Sequence, residues 1–221
     1  MSFQGVEPMQ PERGKLFVVA APSGAGKTSL VRALMQRQAQ LRFSISYTTR
    51  TQRTAERDGH DYFFVDNDEF QRLIAAGEFL EYARVFDNFY GTSRTQVEKL
   101  LAAGSSVLLE IDWQGAQQIR RAMPQHVSIF ILPPSRGELE KRLRSRATDS
   151  DEVIARRLRD SLADMSHWTE FDYVVVNDDF ERATRDLEAI VTGRGESLRR
   201  DRPQVQALTQ QLLAPTGTRT I

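Results

Sequence analysis

Ala21-Pro-Ser-Gly-Ala-Gly-Lys27-Thr28 is the stretch that decides the fold, because of what stands on either side of it. The apolar run at 15–21 is typical of a strand buried in a parallel sheet, and residues 29–38 carry leucine and alanine at helical spacing. A glycine-rich turn that follows a strand and opens a helix with Gly-Lys-Thr predicts a phosphate-binding loop, or P-loop. The alternative is a glycine-rich turn that combines these features by chance.

The residue types of this loop suit phosphate chemistry. Gly24 and Gly26 let backbone N–H groups close around phosphate oxygens, and the helix N-terminus adds partial positive charge. Lys27 is predicted to reach the β- and γ-phosphates and the Thr28 hydroxyl to bind Mg²⁺. Position 21 holds Ala where the usual pattern begins with Gly, which adds one methyl group. The residues predicted to bind ATP phosphates are Ala21, Pro22, Ser23, Gly24, Ala25, Gly26, Lys27 and Thr28.

Outward from the loop, predicted strands and helices alternate along the chain. The further strands are predicted at 62–65, 79–86, 107–111, 127–132 and 173–176. The further helices are predicted at 66–76, 95–103, 116–122, 137–146, 152–164 and 180–192. This alternation favours an α/β fold with a parallel sheet covered on both faces. Residues 1–14 are predicted to be a disordered leader, and 203–221 a tail made of a docked helix and a frayed end.

Composition excludes several classes of function. The 221 residues contain no cysteine, which rules out disulfides, thiolate nucleophiles and cysteine-based zinc sites. Thirty basic and thirty acidic residues give zero net charge, which argues against a nucleic-acid partner. No apolar run approaches the ~20 residues that span a bilayer, and residues 1–14 have no signal-peptide core. The sequence therefore predicts a cytoplasmic protein without a membrane partner.

Several further motifs follow the loop in a fixed order. They are Ser46-Tyr-Thr-Thr-Arg50-Thr-Gln-Arg53, Gly59-His-Asp-Tyr62, Phe79-Leu-Glu81, Asn88-Phe-Tyr90-Gly-Thr92, Glu110-Ile-Asp112-Trp-Gln-Gly, Ile131-Leu-Pro-Pro-Ser135 and Val176-Asn177-Asp-Asp. With the P-loop, this series resembles bacterial guanylate kinase, a P-loop nucleoside monophosphate kinase, over residues 14 to 200. The resemblance implies transfer of the γ-phosphoryl group of ATP to GMP and dGMP, with Mg²⁺ as cofactor, in the recycling of purine nucleotides.

The resemblance also implies an architecture. It predicts a three-layer P-loop fold, in which a central parallel sheet is flanked by helices, together with a small GMP-binding lobe and a helical lid. The core is expected at 15–45, 99–135 and 170–202. The GMP-binding lobe is expected at 46–98 and the lid at 136–169.

In the resemblance, four side chains hold the phosphate of GMP. Arg50, Arg53, Tyr62 and Tyr90 match the family positions, and two guanidinium groups with two phenols suit a dianionic phosphate. Taken by its composition alone, the segment leaves a solvated arginine-rich loop as the less favoured alternative.

The guanine base is assigned to a second set of residues. The position of Glu81 matches a carboxylate that accepts hydrogen bonds from N1–H and the exocyclic amine of guanine, with help from Asp112. Ser46 and Thr92 match positions near O6. Adenine offers an acceptor at N1 and would leave the carboxylate unpaired, so the pairing gives strong discrimination. Apolar and polar residues alternate along the predicted strand 79–86, and this alternation alone leaves open that Glu81 is a surface carboxylate.

The predicted lid is rich in arginine. Arg142 and Arg146 are four residues apart and share a helical face, and Arg157 lies on the next helix. From their charges alone, these arginines could also belong to a pair of surface helices held together by salt bridges. The resemblance implies that they neutralise the transferring phosphoryl group, so the predicted catalytic residues are Lys27, Arg142, Arg146 and Arg157.

Two departures from the family pattern affect the predicted site. Ala147 stands where the family usually has Gly, and Glu110 where it usually has Asp. The sequence leaves open whether Glu110 or Asp112 approaches the Mg²⁺ bound at Thr28, in either case through water.

Two rival functions remain at this stage. A related P-loop kinase could act on another monophosphate, although Glu81, Ser46 and Asp112 favour guanine. A guanylate-kinase-like binding module is the second rival, and the presence of Lys27 and Thr28 argues against it because such modules commonly lose these residues. The predicted partners are the small molecules ATP and GMP, and the sequence does not decide whether the chain forms a homo-oligomer.

Overall fold

The computed structural model describes residues 13–85, 87–145 and 151–214. The strands are β1 (Leu16–Ala20), β2 (Leu41–Phe43), β3 (Tyr47–Thr48), β4 (Phe63–Phe64), β5 (Phe79–Val85), β6 (Asn88–Ser93), β7 (Ser106–Glu110), β8 (Val127–Leu132) and β9 (Tyr173–Val176). The helices are α1 (Lys27–Arg37), α2 (Asn67–Ala75), α3 (Arg94–Ala102), α4 (Trp113–Ala122), α5 (Arg136–Arg144), α6 (Asp151–Met165), α7 (Phe180–Val191) and α8 (Pro203–Leu213).

A five-stranded parallel sheet in the order β2-β7-β1-β8-β9 forms the centre. Every residue of β1 is buried, as expected for a middle strand with helices on both faces. Successive side chains of β1 enter opposite hydrophobic clusters, Val18 on one face and Val19 on the other. The end of β1 delivers the phosphate loop to the carboxyl edge of the sheet, where ligands of α/β proteins bind.

A second, four-stranded sheet in the order β4-β3-β6-β5 lies within the predicted GMP-binding lobe. β3 and β4 are parallel, whereas β6 is antiparallel to both β3 and β5. Helix α2 packs Phe70 against the rings of Phe79 and Phe89 of this sheet. The N-cap Asp66 accepts a hydrogen bond from Glu69 N at 2.8 Å, so the predicted start of this helix is confirmed.

Helices α5, α6 and α8 share one core cluster with the central sheet. Leu139 of α5, Met165 of α6, and Val205 and Leu212 of α8 are all buried in it. The guanidinium group of Arg136, the first residue of α5, donates to the carbonyl oxygens of two residues at the end of α8. The docked helix predicted in the tail is therefore present as α8, while residues 215–221 lie outside the described part.

The α/β class and the sheet flanked by helices are confirmed, and most predicted elements agree within a few residues. The prediction missed β2, β3 and β6, which are short or interrupted by glycine. Of the predicted leader, residues 1–12 are outside the described part, and Gly14 donates its N–H to Leu101 O at 3.0 Å. Within the described part, no helix has the length and apolar character needed to cross a membrane.

Candidate active site

The phosphate loop forms a hollow of about 240 Å³ between β1 and α1. Gly24 and Gly26 adopt φ values of 85° and 92°, in the left-handed region that favours glycine. Ala25 is the one predicted loop residue that does not line the hollow: its side chain is buried, and its N–H donates to Pro22 O at 3.2 Å. The lining residues are Ala21, Pro22, Ser23, Gly24, Gly26, Lys27, Thr28 and Ser29.

Two residues outside the loop hold it from behind. The buried Asn177, just after β9, donates from Nδ2 to Ala25 O at 2.7 Å, and a Cβ on Gly26 would lie 2.4 Å from that nitrogen. Gly26 is thus required by both its backbone conformation and this close approach. Ser161 of α6 donates to Ser23 O at 3.1 Å. Apart from the family motif that contains Asn177, no sequence pattern predicts these supports.

Lys27 and Thr28 converge on the end of β7. Lys27 Nζ donates to Ile111 O at 2.8 Å and lies 4.0 Å from Glu110 Oε1, while the Thr28 hydroxyl donates to the same carboxylate oxygen. Burial lowers the pKa of Lys27, and the carboxylates of Glu110 and Asp112 oppose that effect. An added phosphate beside Lys27 would further favour the charged ammonium.

The same residues offer oxygen ligands that fit Mg²⁺. The Thr28 hydroxyl and the Glu110 carboxylate are in contact, and Mg²⁺ prefers a few protein oxygens combined with substrate phosphates and water. Within the described residues, no cluster of three or more His, Asp or Glu side chains could hold a metal ion by itself. Asp112 has another partner: its Oδ1 accepts from Gly115 N at 2.7 Å and caps α4. The donor set therefore fits a metal ion that arrives with nucleotide phosphates.

A cleft of about 590 Å³ joins the phosphate loop to the second sheet and to α6. It contains Ser23 and Lys27, which also line the hollow of the loop. Polar side chains from all sides line it: Ser23, Lys27, Ser46, Tyr62, Glu81, Tyr90, Glu110, Asp112, Gln114, Arg157, Asp160, Ser161 and Asp164. Five of the eight residues predicted for GMP thus meet the P-loop lysine in one cleft: Ser46, Tyr62, Glu81, Tyr90 and Asp112.

Glu81 is a buried carboxyl group, so its alternative interpretation as a surface carboxylate is wrong. Its side chain is only 5% exposed, and its Oε1 accepts from the Thr92 hydroxyl at 2.5 Å. Burial raises the pKa of Glu81 to about 7, and the nearby carboxylate of Asp112 acts in the same direction, whereas the hydrogen bond from Thr92 lowers it. A Cβ on Gly115 would lie 2.8 Å from Glu81 Oε2, so the first turn of α4 closes the other side.

A second hollow of about 740 Å³ adjoins the cleft and contains the predicted phosphate-binding arginines. Arg50 Nη2 donates to both carboxylate oxygens of Glu56, at 2.8 and 3.0 Å, and the guanidinium lies 5.4 Å from the ring centroid of Tyr62. Arg53 also lines this hollow and donates its backbone N–H to Glu56 at 3.0 Å. Glu56, which the sequence analysis did not single out, therefore orients the loop. Four residues belong to both the cleft and this hollow: Ser46, Tyr62, Tyr90 and Glu110.

The predicted lid arginines differ in position. Arg157 lines the cleft. Arg142 donates from Nε to Glu138 at 2.9 Å and from Nη2 to Asn177 O at 3.0 Å, so it is bonded to the residue that supports the phosphate loop. Its buried Nη1 has no partner among the described residues. The pair of Arg142 with Glu138 is of the kind that the salt-bridged alternative predicted, and Arg144, which was not among the predicted residues, pairs with Glu140 in the same way. Arg146 and Ala147 lie outside the described residues.

A phosphate loop that shares one cleft with a buried carboxyl group and an arginine-lined hollow defines a P-loop kinase of small phosphorylated acceptors. Known proteins make the class specific. A family model described as guanylate kinase matches residues 13–194. The chain belongs to the guanylate kinase family, and its predicted enzyme class, an ATP-dependent nucleoside monophosphate kinase, is confirmed.

Individual relatives are similar over nearly their whole length. The chain is 55% identical to the guanylate kinase of Methylococcus capsulatus over 201 residues, covering 91% of this chain and 98% of the relative. It is 51% identical to that of Escherichia coli K12 over 204 residues, covering 91% and 99%. The crystal structure of guanylate kinase from Anaplasma phagocytophilum superposes with a TM-score of 0.68 at 37% identity, covering 85% of this chain and 89% of that one.

Proposed function

We propose that the chain transfers the γ-phosphoryl group of ATP to GMP, giving ADP and GDP, with Mg²⁺ as cofactor and dGMP as a second acceptor. The observation that carries the proposal is the single cleft lined by both Lys27 of the phosphate loop and the buried carboxyl group of Glu81. The family membership supports the same reaction.

Glu81 is the residue that selects guanine in this proposal. One of its oxygens accepts from Thr92, and the carboxylate has lone pairs left for N1–H and the exocyclic amine of the base. Asp112 and Ser46 line the same cleft and complete the polar environment of the base edge. Binding of adenine would leave the buried carboxylate without hydrogen-bond donors, which costs more binding free energy than the loss of a contact on the surface.

The phosphate of GMP is held at the junction of the cleft and the arginine-lined hollow. Tyr62 and Tyr90 line both spaces, and Arg50 and Arg53 line the hollow. Glu56 occupies part of the Arg50 guanidinium and thereby fixes its plane, so that its remaining N–H groups are oriented before the phosphate arrives.

ATP phosphates are held by the backbone of residues 21–28, Lys27 and the Thr28 hydroxyl. Because Thr28 donates to Glu110 while Asp112 caps α4, we assign the water-mediated contact with the metal to Glu110. When bound, Mg²⁺ neutralises charge on the β- and γ-phosphate oxygens.

The transfer requires no general base. An oxygen of the GMP phosphate is already ionised near neutral pH, and it forms its bond to the γ-phosphorus as the bond from that phosphorus to the leaving ADP oxygen breaks. Lys27, Arg142, Arg146 and Arg157 neutralise the charge during transfer. Closure of residues 136–169 over the cleft excludes water, which would otherwise accept the phosphoryl group.

The first experiment measures ADP formation from ATP and Mg²⁺ with GMP, dGMP, AMP, CMP, UMP or dTMP as the acceptor. We expect rapid turnover with GMP, slower turnover with dGMP, and background rates with the others or after addition of EDTA. Equal turnover with AMP would overturn the assignment of guanine selection to Glu81. A folded protein that binds GMP without turning over any acceptor would be the binding module instead.

A further inference from the structure

Trp113 lines the cleft, and its indole also makes two contacts with another helix that neither the P-loop nor the binding of GMP requires. It is the first residue of α4 and directly follows Asp112. Its indole stacks on the ring of His167, with centroids 3.5 Å apart and planes 8° apart, and its Nε1 donates to Asp164 Oδ1 at 3.0 Å. Asp164 lies on the last turn of α6, and His167 lies in the 3₁₀ turn that follows. One indole therefore holds the carboxyl-terminal end of α6 against the start of α4.

Two more residues of α4 reinforce this contact. His167 Nδ1 lies 2.6 Å from Glu170 Oε1, and the other oxygen of Glu170 accepts from Gln117 at 2.9 Å and from Arg120 at 3.3 Å. Positions 113, 117 and 120 fall on one face of α4. That face of α4 is fixed to the end of α6.

A different side chain of α4 holds the second sheet. Gln118 accepts from Tyr82 N at 3.1 Å and donates to Tyr82 O at 2.8 Å, so its amide takes the place of a neighbouring strand at the edge strand β5. Tyr82 follows Glu81 in the chain. Glu81 and Asp112, the two carboxyl groups proposed to bind guanine, are called the base pocket here. Each is followed in the chain by a residue that makes a tertiary contact: Tyr82 bonds to Gln118 of α4, and Trp113 of α4 bonds to Asp164 of α6.

Helix α6 carries the predicted catalytic Arg157 on the face that Trp113 holds. Positions 157, 161 and 164 share one helical face and all line the cleft. Asp164 is seven residues from Arg157, about 10 Å along the helix axis. Between them, Ser161 donates to the phosphate loop at Ser23 O. The contact with Trp113 and the hydrogen bond at Ser161 together fix the direction in which α6 presents Arg157 to the phosphate loop.

We infer that Trp113 is a positioning residue that couples occupation of the base pocket to the placement of Arg157, by fixing α6 to the residue after Asp112. The inference rests on the proposed function, because it concerns how ATP and GMP sites of that function communicate. It assigns no contact between Trp113 and either substrate. Its consequence is that each nucleotide binds more tightly when the other is present, and that this cooperativity depends on the indole.

The test measures the Kd of GMP by calorimetry with and without a non-hydrolysable ATP analogue and Mg²⁺. In the parent we expect the analogue to tighten GMP binding about fivefold or more, which is the lower end of typical coupling between sites. Trp113→Leu should reduce that ratio to below about twofold, and Trp113→Phe, which keeps an aromatic ring against His167, should give an intermediate ratio. Trp168→Phe is the matched control, because Trp168 is packed nearby in the core and does not line the cleft; its ratio should equal that of the parent.

Two outcomes would overturn the inference. The first is a parent whose ratio is close to one. The second is a Trp113→Leu variant with the parent ratio; if its GMP binding is also weaker, equally with and without the analogue, Trp113 acts by contacting the base directly. If Trp113→Leu does not fold, the same ratio is measured for Trp113→Phe and Asp164→Leu, because each removes the hydrogen bond between Trp113 and Asp164. Because the ratio needs no turnover, a parent that shows it without phosphorylating GMP overturns the proposed function and upholds the coupling.

Discussion

Glu81 has an unusual pKa for a residue proposed to act as a carboxylate. Burial raises its pKa from the ordinary 4.5 to about 7. Between these values the folded protein keeps a proton that the unfolded chain releases, so the contribution of this group to stability is present below pH 4.5 and is lost as the pH rises through 7. The part lost between pH 5 and 8 is about 2 to 3 kcal/mol, because one pKa unit corresponds to about 1.4 kcal/mol.

The measurement is urea unfolding of the parent and of Glu81→Gln at several pH values. The neutral amide has no proton to lose, and its carbonyl can still accept from Thr92. The parent should therefore lose about 2 to 3 kcal/mol more than the variant between pH 5 and 8. Parallel pH profiles would contradict the raised pKa.

Gly115→Ala should separate GMP binding from stability. The preference of a helix for alanine over glycine, about 1 kcal/mol, offsets part of the cost of crowding the buried Glu81, so the free energy of unfolding should fall by less than about 2 kcal/mol. Its Cβ would lie 2.8 Å from Glu81 Oε2 and displace that carboxylate. We expect the KM for GMP to rise about tenfold or more, as loss of one hydrogen bond to a charged group predicts, with the KM for ATP unchanged. Gly137→Ala, where a Cβ meets no atom closer than 4.0 Å, is the control.

Arg157 should affect the chemical step rather than the binding of GMP. Arg157→Gln removes a cation that lines the cleft, and an arginine that neutralises a transferring phosphoryl group contributes about 10³-fold or more to kcat. We expect a loss of that size in kcat with a small change in the KM for GMP. Arg159→Gln, on the same helix but exposed and outside the cleft, should behave as the parent. A kcat within about twofold of the parent for Arg157→Gln would exclude the catalytic role.

At the scale of elements, Gln96 on α3 holds the point where the chain enters the second sheet. Its Oε1 accepts from Ser44 Oγ at 2.7 Å and from Ile45 N at 2.9 Å, just before β3. Gln96→Leu leaves a hydroxyl and an N–H without this partner, so we expect a loss of about 1 to 3 kcal/mol in unfolding free energy and weaker GMP binding. Urea unfolding and calorimetry measure both. Gln206→Leu, on the exposed side of α8, should change neither quantity, and equal effects of the two variants would exclude this role for Gln96.

The elements show what a sequence can predict here and what it cannot. The buried strands β1, β7, β8 and β9 were predictable because each is a short apolar run followed by a turn or a cap. β3 was missed because two residues carry no periodicity and their pairing partners are remote in sequence. Motifs gave the residue types of the site, but Asn177 supports Ala25 from 152 positions away, and only folding reveals such a contact.

At the scale of the whole molecule, the cleft is far more acidic than the chain. The net charge of the sequence is zero, yet among the described residues five carboxyl groups line the cleft together with two cationic side chains, Lys27 and Arg157. Two anionic nucleotides entering such a space need further positive charge, since like charges repel more strongly where water is excluded. That need gives a physical reason for the arginines of the adjoining hollow and for the closure of residues 136–169 that we propose.

Helix α8 belongs to the same hydrophobic cluster as α5 and α6 and therefore supports both helices. Leu212 is 1% exposed in the cluster that also contains Leu139 of α5 and Met165 of α6. Leu212→Ala should lower the free energy of unfolding by about 2 to 5 kcal/mol, the usual cost of a buried leucine, as measured by urea unfolding at pH 7. Gln211→Ala, at the neighbouring exposed position, should stay within about 0.5 kcal/mol of the parent. A loss below about 1 kcal/mol for Leu212→Ala would mean that α8 is a peripheral helix and that α5 and α6 are held by the sheet and α4 alone.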